Sequence, residues 1–99
     1  MQPHRLLVVD PDDETRAETA ADLRAELPEW VTVETLGTAE AATATLGETP
    51  PVAAVVTEYE LPDGTGLDVI GAAAEAVPDA GCILYTDADP DRIDTAALQ

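Results

Sequence analysis

Residues 5–10 read RLLVVD, and residues 52–58 read VAAVVTE. Each stretch is a short apolar run that ends in an acidic residue. This pattern predicts two strands of a parallel sheet, because strands buried on both faces carry apolar side chains at successive positions. Since the carboxyl ends of parallel strands meet at one edge of a sheet, we expect Asp10 and Glu58 to lie at the same edge.

Further strands and helices alternate with these two runs. Alternating apolar residues at 31–35 predict a strand, and residues 82–85 (CILY) predict a fourth buried strand. Gly37-Thr38 supplies a turn and an N-cap for a helix that ends at Leu46. Two other helices are predicted from their apolar faces, which are Ala17, Ala20, Leu23 and Leu27 in the first and Leu67, Ile70, Ala74 and Val77 in the third.

A fourth helix is predicted near the end of the chain. Asp89 is a capping residue, and Pro90 suits the first helical position. Strands and helices thus alternate four times with short connections. This order predicts an α/β sandwich, in which helices cover both faces of a parallel sheet. Residues 1–99 are expected to form a single domain.

The chain is strongly acidic. It carries 21 Asp and Glu against 4 Lys and Arg, a formal net charge of −17. So few cations cannot form a basic patch, which excludes direct binding to nucleic acid or to an anionic membrane surface. Because 45% of the residues are apolar, the chain is expected to fold. The composition indicates a halophilic cytoplasm, with an acidic interaction surface as the alternative.

Cysteine and hydropathy patterns point to the same compartment. Cys82 is the single cysteine, so no internal disulfide can form, and it is expected to be a buried apolar residue in a reducing environment. No apolar run reaches the roughly 18 residues of a membrane span, and no signal peptide precedes the first strand. These patterns predict a soluble, cytoplasmic protein.

From Leu6 onward the chain resembles a response-regulator receiver domain, the phospho-acceptor module of two-component signalling. The resemblance rests on LVVD at 7–10, Glu58 four residues before Pro62, LPDGTGL at 61–67 and LYT at 84–86. It implies a flavodoxin-like three-layer α/β/α fold and a signalling role rather than an enzymatic one. With five strands in the family, we expect the fifth strand and its helix to be lacking here, in a domain that is truncated at its C-terminus or shortened.

The resemblance assigns roles to several residues. Glu58 occupies the phospho-acceptor position, and Thr86 is the switch residue that would contact the phosphoryl group. A magnesium ion would be held by Asp10, Glu58 and the backbone carbonyl of Glu60. Mg²⁺ prefers hard oxygen ligands, and it neutralises charge on a transferring phosphoryl group.

Two departures from the family pattern fall on this chemistry. Pro11 stands where the family has a second acid, so Mg²⁺ binding is expected to be weak or lost. Asp12 could supply the missing carboxylate only after a local shift, and its position favours a role at the helix start. Glu58 is one methylene longer than the Asp of the family, which moves its carboxylate by about 1.5 Å. Positional errors of about 1 Å can lower a rate on the order of a hundredfold.

These departures favour a pseudo-receiver that acts by protein contact without phosphorylation. Either Glu58 imitates a phosphorylated Asp and holds Thr86, or the site has lost its switch altogether. The alternative is a working receiver, phosphorylated at Glu58 with weakened Mg²⁺ binding. A small flavodoxin-like enzyme or nucleotide binder is disfavoured, because no glycine-rich phosphate loop follows the first strand.

The expected partners are a histidine kinase or a downstream signalling protein. An open sheet edge would also allow the chain to pair with a second copy, so a dimer is a further expectation. The acidity and the resemblance together predict a haloarchaeal source.

The net charge predicts that salt stabilises the fold. Raising KCl from 0.1 M to 1 M shortens the Debye length from about 10 Å to about 3 Å and so removes repulsion among the acidic residues. We expect the midpoint of thermal unfolding, measured by far-ultraviolet circular dichroism, to rise across this range. A midpoint that does not change with KCl would contradict a halophilic composition.

Overall fold

The computed structural model describes residues 4–48 and 51–85. Their elements are β1 (His4–Val9), α1 (Asp13–Glu26), β2 (Val31–Leu36), α2 (Ala39–Leu46), β3 (Val52–Glu58), β4 (Glu60–Leu61), β5 (Gly64–Thr65), α3 (Gly66–Ala76) and β6 (Gly81–Tyr85). The four predicted strands and the first three predicted helices are confirmed. The short antiparallel pair of β4 and β5 lies where a loop is predicted. Thr86, the fourth predicted helix and the expectation about a fifth strand lie outside the described residues.

The main sheet is parallel, with strand order β2-β1-β3-β6. Strand β1 lies between β2 and β3, and its Leu7, Val8 and Val9 have no solvent exposure. Leu7 and Val9 pack in one core with residues of α2 and α3, whereas Val8 packs in a second core with Ala20 of α1. The chain therefore forms the predicted three-layer α/β/α sandwich of the flavodoxin-like type.

The helices of the described residues are short, with 8 to 14 residues each. The predicted caps of the first two helices are confirmed, since Asp12 accepts a hydrogen bond from Thr15 N and Thr38 accepts one from Ala41 N. None of the helices in residues 4–48 and 51–85 combines the length and apolar character that a membrane crossing requires.

The buried face of α3 differs from the predicted one. Gly66, Val69 and Ala73 are buried, one position before Leu67, Ile70 and Ala74, and the side chain of Ala74 is exposed. The prediction was wrong because α3 is apolar on nearly every side, so that the spacing of its residues does not select one face. In α1, Ala17 is likewise exposed rather than buried.

Strand β6 is buried on one side only. Leu84 is 8% exposed, as predicted, but Ile83 is 61% exposed. The prediction of a strand buried on both faces was wrong for the described part of the chain. There β6 forms the edge of the sheet, and α1, the described helix on the face of Val8, packs mainly on β1 and β2.

Three arginines bond to the sheet or to the ends of its strands. Arg5 is 7% exposed, and its Nε and Nη2 donate to the two carboxylate oxygens of Glu34 at 2.5 and 2.9 Å. Arg24 Nη2 donates to the backbone oxygen of Val33 at 2.8 Å. Arg16 Nη1 donates to the backbone oxygen of Asp10 at 2.7 Å. Bidentate pairing with a carboxylate satisfies a buried guanidinium.

Two glycines of α3 provide a matched test of its position on the sheet. A Cβ at Gly66 would lie 2.5 Å from the backbone oxygen of Glu58 and would also overlap Leu84, whereas a Cβ at Gly71 meets no atom within 4 Å. We expect Gly66→Ala to lower the free energy of unfolding by about 1–3 kcal/mol through overpacking. Gly71→Ala should raise it by about 0.5–1 kcal/mol. Urea denaturation checks both, and a neutral Gly66→Ala would contradict this helix position.

Candidate functional site

The candidate site lies at the carboxyl edge of the sheet, where β1, β3 and β6 end side by side. Asp10 follows β1, Glu58 is the last residue of β3, and Tyr85 is the last residue of β6. The order β2-β1-β3 means that the chain leaves β1 toward one side and later returns on the other. Open α/β sheets bind ligands at such a switch point. The structure thus brings Asp10 and Glu58 to adjacent strand ends, as predicted.

Asp10 is buried, with 1% of its surface exposed. Its Oδ1 accepts a hydrogen bond from the backbone N–H of Asp12 at 2.8 Å. Its Oδ2 accepts one from the Tyr85 hydroxyl at 2.6 Å. A distance of 2.6 Å lies within the range of O–H···O hydrogen bonds. Each oxygen of this buried carboxylate therefore has a protein donor.

The role of Tyr85 was not predicted from the sequence. Tyr85 pairs with Glu58 in the parallel register of β3 and β6, and its backbone oxygen accepts from Tyr59 N at 2.7 Å. These backbone contacts fix the position of the Tyr85 Cα. Because β3 lies between β6 and β1, the side chain crosses the end of β3 to reach Asp10. The register of two strand ends could have suggested proximity to Glu58. The contact with Asp10 depends on the side-chain conformation.

Glu58, which the resemblance assigns to the phospho-acceptor position, is 6% exposed. Its Oε1 accepts a hydrogen bond from the backbone N–H of Glu60 at 3.3 Å. Glu60 is the first residue of β4, where it pairs with Thr65 of β5. The carboxylate of Glu58 therefore folds back toward its own loop, and burial limits its access to solvent.

Asp12 serves the start of α1. Its Oδ2 accepts from the Thr15 hydroxyl at 2.5 Å and from the Thr15 backbone N–H at 3.2 Å. These two donors, the hydroxyl first, hold the pKa of the Asp12 carboxyl below its ordinary value. The N-cap contacts agree with the favoured role of Asp12, and its use as a metal ligand stays a prediction.

Arg16 brings a positive charge to the edge of the site, which was not predicted. In addition to its bond to the Asp10 backbone oxygen, it forms an ion pair with Asp13. The spacing of Asp13 and Arg16 is i, i+3, which places both side chains on one side of the first turns of α1. That spacing was a visible signal, although it does not reveal the contact with Asp10.

Few acidic side chains gather around Asp10 in the described part of the chain. Mg²⁺ requires near-octahedral coordination by oxygen atoms. Within residues 4–48 and 51–85, no group of three or more His, Cys, Asp or Glu side chains is arranged to hold a metal ion. Both oxygens of Asp10 already accept hydrogen bonds, and Pro11 has no side-chain donor atom.

The loop after Glu58 is attached to α2 through Asp63. Asp63 lies in the turn between β4 and β5, and its two carboxylate oxygens accept from the backbone N–H groups of Ala39 at 2.8 Å and Glu40 at 2.9 Å. These are the first N–H groups of α2, which lack partners within the helix. The bonds hold the pKa of the Asp63 carboxyl below its ordinary value. The loop sequence at 61–67 thus positions the site by capping a neighbouring helix.

We expect the contribution of Asp63 to depend on pH. Because its pKa is lowered in the folded state, its stabilisation is complete above the unfolded-state pKa of about 3.9 and is lost as the pH falls through the lower folded value. Asp63→Ala should therefore destabilise the protein at pH 7, and the difference from wild type should shrink below about pH 4. Urea denaturation from pH 7 to pH 3 measures this difference.

Asp22→Ala, an exposed change on α1, is the matched control and should have little effect at any of these pH values. A destabilisation by Asp63→Ala that is equally large at pH 7 and pH 3 would show that the carboxylate charge does not matter.

Neither the protein-family models nor the curated proteins include a match to the chain. Solved structures do match. A structure of histidine kinase ThkA in complex with response regulator protein TrrA aligns at 26% identity and a TM-score of 0.77, over 96% of this chain and 78% of that chain. The non-phosphorylated HemR receiver domain from Leptospira biflexa aligns at 23% identity and a TM-score of 0.72, over 96% and 75%.

The MaeR response regulator bound to beryllium trifluoride aligns at 22% identity and a TM-score of 0.73, over 96% of this chain and 76% of that chain. The aligned regions include the strands that carry the site. These similarities confirm the architecture that the sequence resemblance implies: the chain has the fold of response-regulator receiver domains.

Proposed function

We propose that this chain is a receiver-like signalling module that acts through protein contact and does not accept a phosphoryl group. The fold supports the first half of the proposal, since solved receiver domains share it. The second half rests on the site. Its residues depart from the family pattern at Pro11 and at Glu58, and its Asp10 carboxylate accepts a hydrogen bond from Tyr85.

The observation that carries the proposal is the state of Asp10. In the family that the chain resembles, this acid helps to bind Mg²⁺, which neutralises charge during phosphoryl transfer. Here the Asp10 carboxylate accepts hydrogen bonds from Tyr85 and from the Asp12 backbone, and Pro11 removes the neighbouring carboxylate. A phosphoryl group approaching Glu58 would meet several carboxylates without a divalent cation, and their charges repel it.

Burial of Glu58 supports the same conclusion. A nucleophilic carboxylate must reach the phosphorus atom in line with the leaving group. With 6% exposure and one oxygen bonded to Glu60 N, the Glu58 carboxylate is held within the protein. A carboxyl group at this position also suits the phospho-mimetic form of the proposal, in which Glu58 holds Thr86.

A protein partner follows from the receiver-like fold. Among the similar structures is a complex of a histidine kinase with a response regulator, which supports a kinase, or a downstream signalling protein, as the partner of this chain. The excess of acidic residues supports a salt-rich, haloarchaeal cytoplasm as its location. It also opposes direct binding of this domain to nucleic acid.

Intact-mass spectrometry tests the proposal. The wild-type chain is incubated with acetyl phosphate and MgCl₂ in 1 M KCl, alongside Glu58→Gln, which lacks a nucleophilic carboxylate at this position. We expect no species heavier by about 80 Da, the mass of one phosphoryl group. If wild type gains this mass and Glu58→Gln does not, Glu58 is a working phospho-acceptor and the proposal is wrong.

A further inference from the structure

We propose that the Tyr85 hydroxyl takes the place of a cation as the partner of the buried Asp10 carboxylate and thereby keeps divalent cations out of the site. This inference deepens the proposed function and rests on it, since it concerns the carboxylate that a metal ion would use in a phosphorylated receiver. Tyr85 is a positioning residue in this scheme, because it acts on the site through Asp10.

A buried carboxylate needs a partner. Removing an ionised group from water is costly unless hydrogen bonds or an opposite charge compensate it. Asp10 is 1% exposed, and the two compensating donors are the Tyr85 hydroxyl at 2.6 Å and the Asp12 backbone N–H at 2.8 Å. The Asp12 N–H is a backbone group and does not depend on which side chain stands at position 12. Tyr85 is therefore the side chain whose identity decides how the second oxygen of Asp10 is satisfied.

The backbone of Tyr85 is held in place beside the site. Its strand pairs with β3 through Glu58, and its backbone oxygen accepts from Tyr59 N at 2.7 Å. An ion at Oδ2 of Asp10 would have to share this oxygen with the hydroxyl, or displace the hydroxyl and move the ring away from the end of β1. Competition with the hydroxyl therefore lowers the affinity of the site for a divalent cation.

Arg16 and Pro11, which lie beside Asp10, also disfavour a divalent cation. The guanidinium of Arg16 donates to the backbone oxygen of Asp10 at 2.7 Å and pairs with Asp13, so a permanent positive charge already lies beside the site. Pro11 supplies no carboxylate that could attract an ion to the space in front of Asp10. Around Asp10, the Tyr85 hydroxyl and the Arg16 guanidinium thus lie where a divalent ion would need acidic ligands.

The scheme predicts that two substitutions together create a cation site. Pro11→Asp restores a second carboxylate, and Tyr85→Val removes the hydroxyl and ring while keeping a side chain suited to a strand. Binding of MgCl₂ is measured by isothermal titration calorimetry at constant ionic strength for wild type, both single variants and the double variant. We expect the double variant to bind Mg²⁺ at least about tenfold more tightly than Pro11→Asp alone, a difference of about 1.4 kcal/mol.

Further variants locate the ion and protect the test against misfolding. Adding Asp10→Asn to the double variant should abolish the gain, because the ion would lose its central ligand. If Tyr85→Val prevents folding, judged by circular dichroism, Tyr85→Phe in the Pro11→Asp background removes the hydroxyl alone and should still tighten binding severalfold. Tyr59→Phe in the Pro11→Asp background is the matched control. It removes the hydroxyl of the other tyrosine and should not change the affinity for Mg²⁺.

Two results would overturn the inference. Dissociation constants for Pro11→Asp with and without the Tyr85 change that agree within about twofold would show that Tyr85 does not oppose cation binding. Binding that survives Asp10→Asn would place the ion elsewhere on the acidic surface. These outcomes are independent of the mass measurement, since phosphorylation of wild type contradicts the proposed function whatever the affinities of the variants are.

Discussion

The burial of β1 on both faces is the constraint on which the rest of the structure depends. Leu7, Val8 and Val9 have no exposed surface, so helices must cover both sides of the strand and other strands must pair with both of its edges. A strand in this position delivers the residue that follows it into the interior. Asp10 is for that reason a buried carboxylate, and its need for donors determines the surrounding contacts.

The contacts of Asp10 connect three segments that are distant in sequence. Tyr85 donates from the end of β6, Asp12 donates from the start of α1, and Arg16 binds the backbone oxygen of Asp10 from within α1. The loop that follows Glu58 is joined to α2 by Asp63. Each of these segments within residues 4–48 and 51–85 is thus held at the site by hydrogen bonds within the protein.

Much of this fold could be predicted from the sequence, because the apolar runs at 5–9 and 52–57 have the length and the valine content of buried strands, and the caps at Asp12 and Thr38 are local. The adjacency of the Asp10 and Glu58 strand ends followed from the parallel arrangement. The contact between Tyr85 and Asp10 could not be predicted, since it depends on the rotamer of a residue 75 positions away in sequence. The buried face of α3 was missed because close packing at Gly66, rather than the spacing of its apolar residues, sets its orientation.

The three arginines of the described residues place their charge against the sheet, whereas most acidic side chains face water. Arg5 meets a carboxylate across β1 and β2, Arg16 bonds to the backbone oxygen that follows β1, and Arg24 bonds to a backbone oxygen within β2. Dissolved ions weaken attraction between exposed charges much more than contacts shielded from solvent. The buried Arg5 therefore keeps its hydrogen bonds in concentrated brine, where an exposed ion pair would contribute almost nothing. Lysine, with a single compact ammonium group, could not replace the paired donors of Arg5.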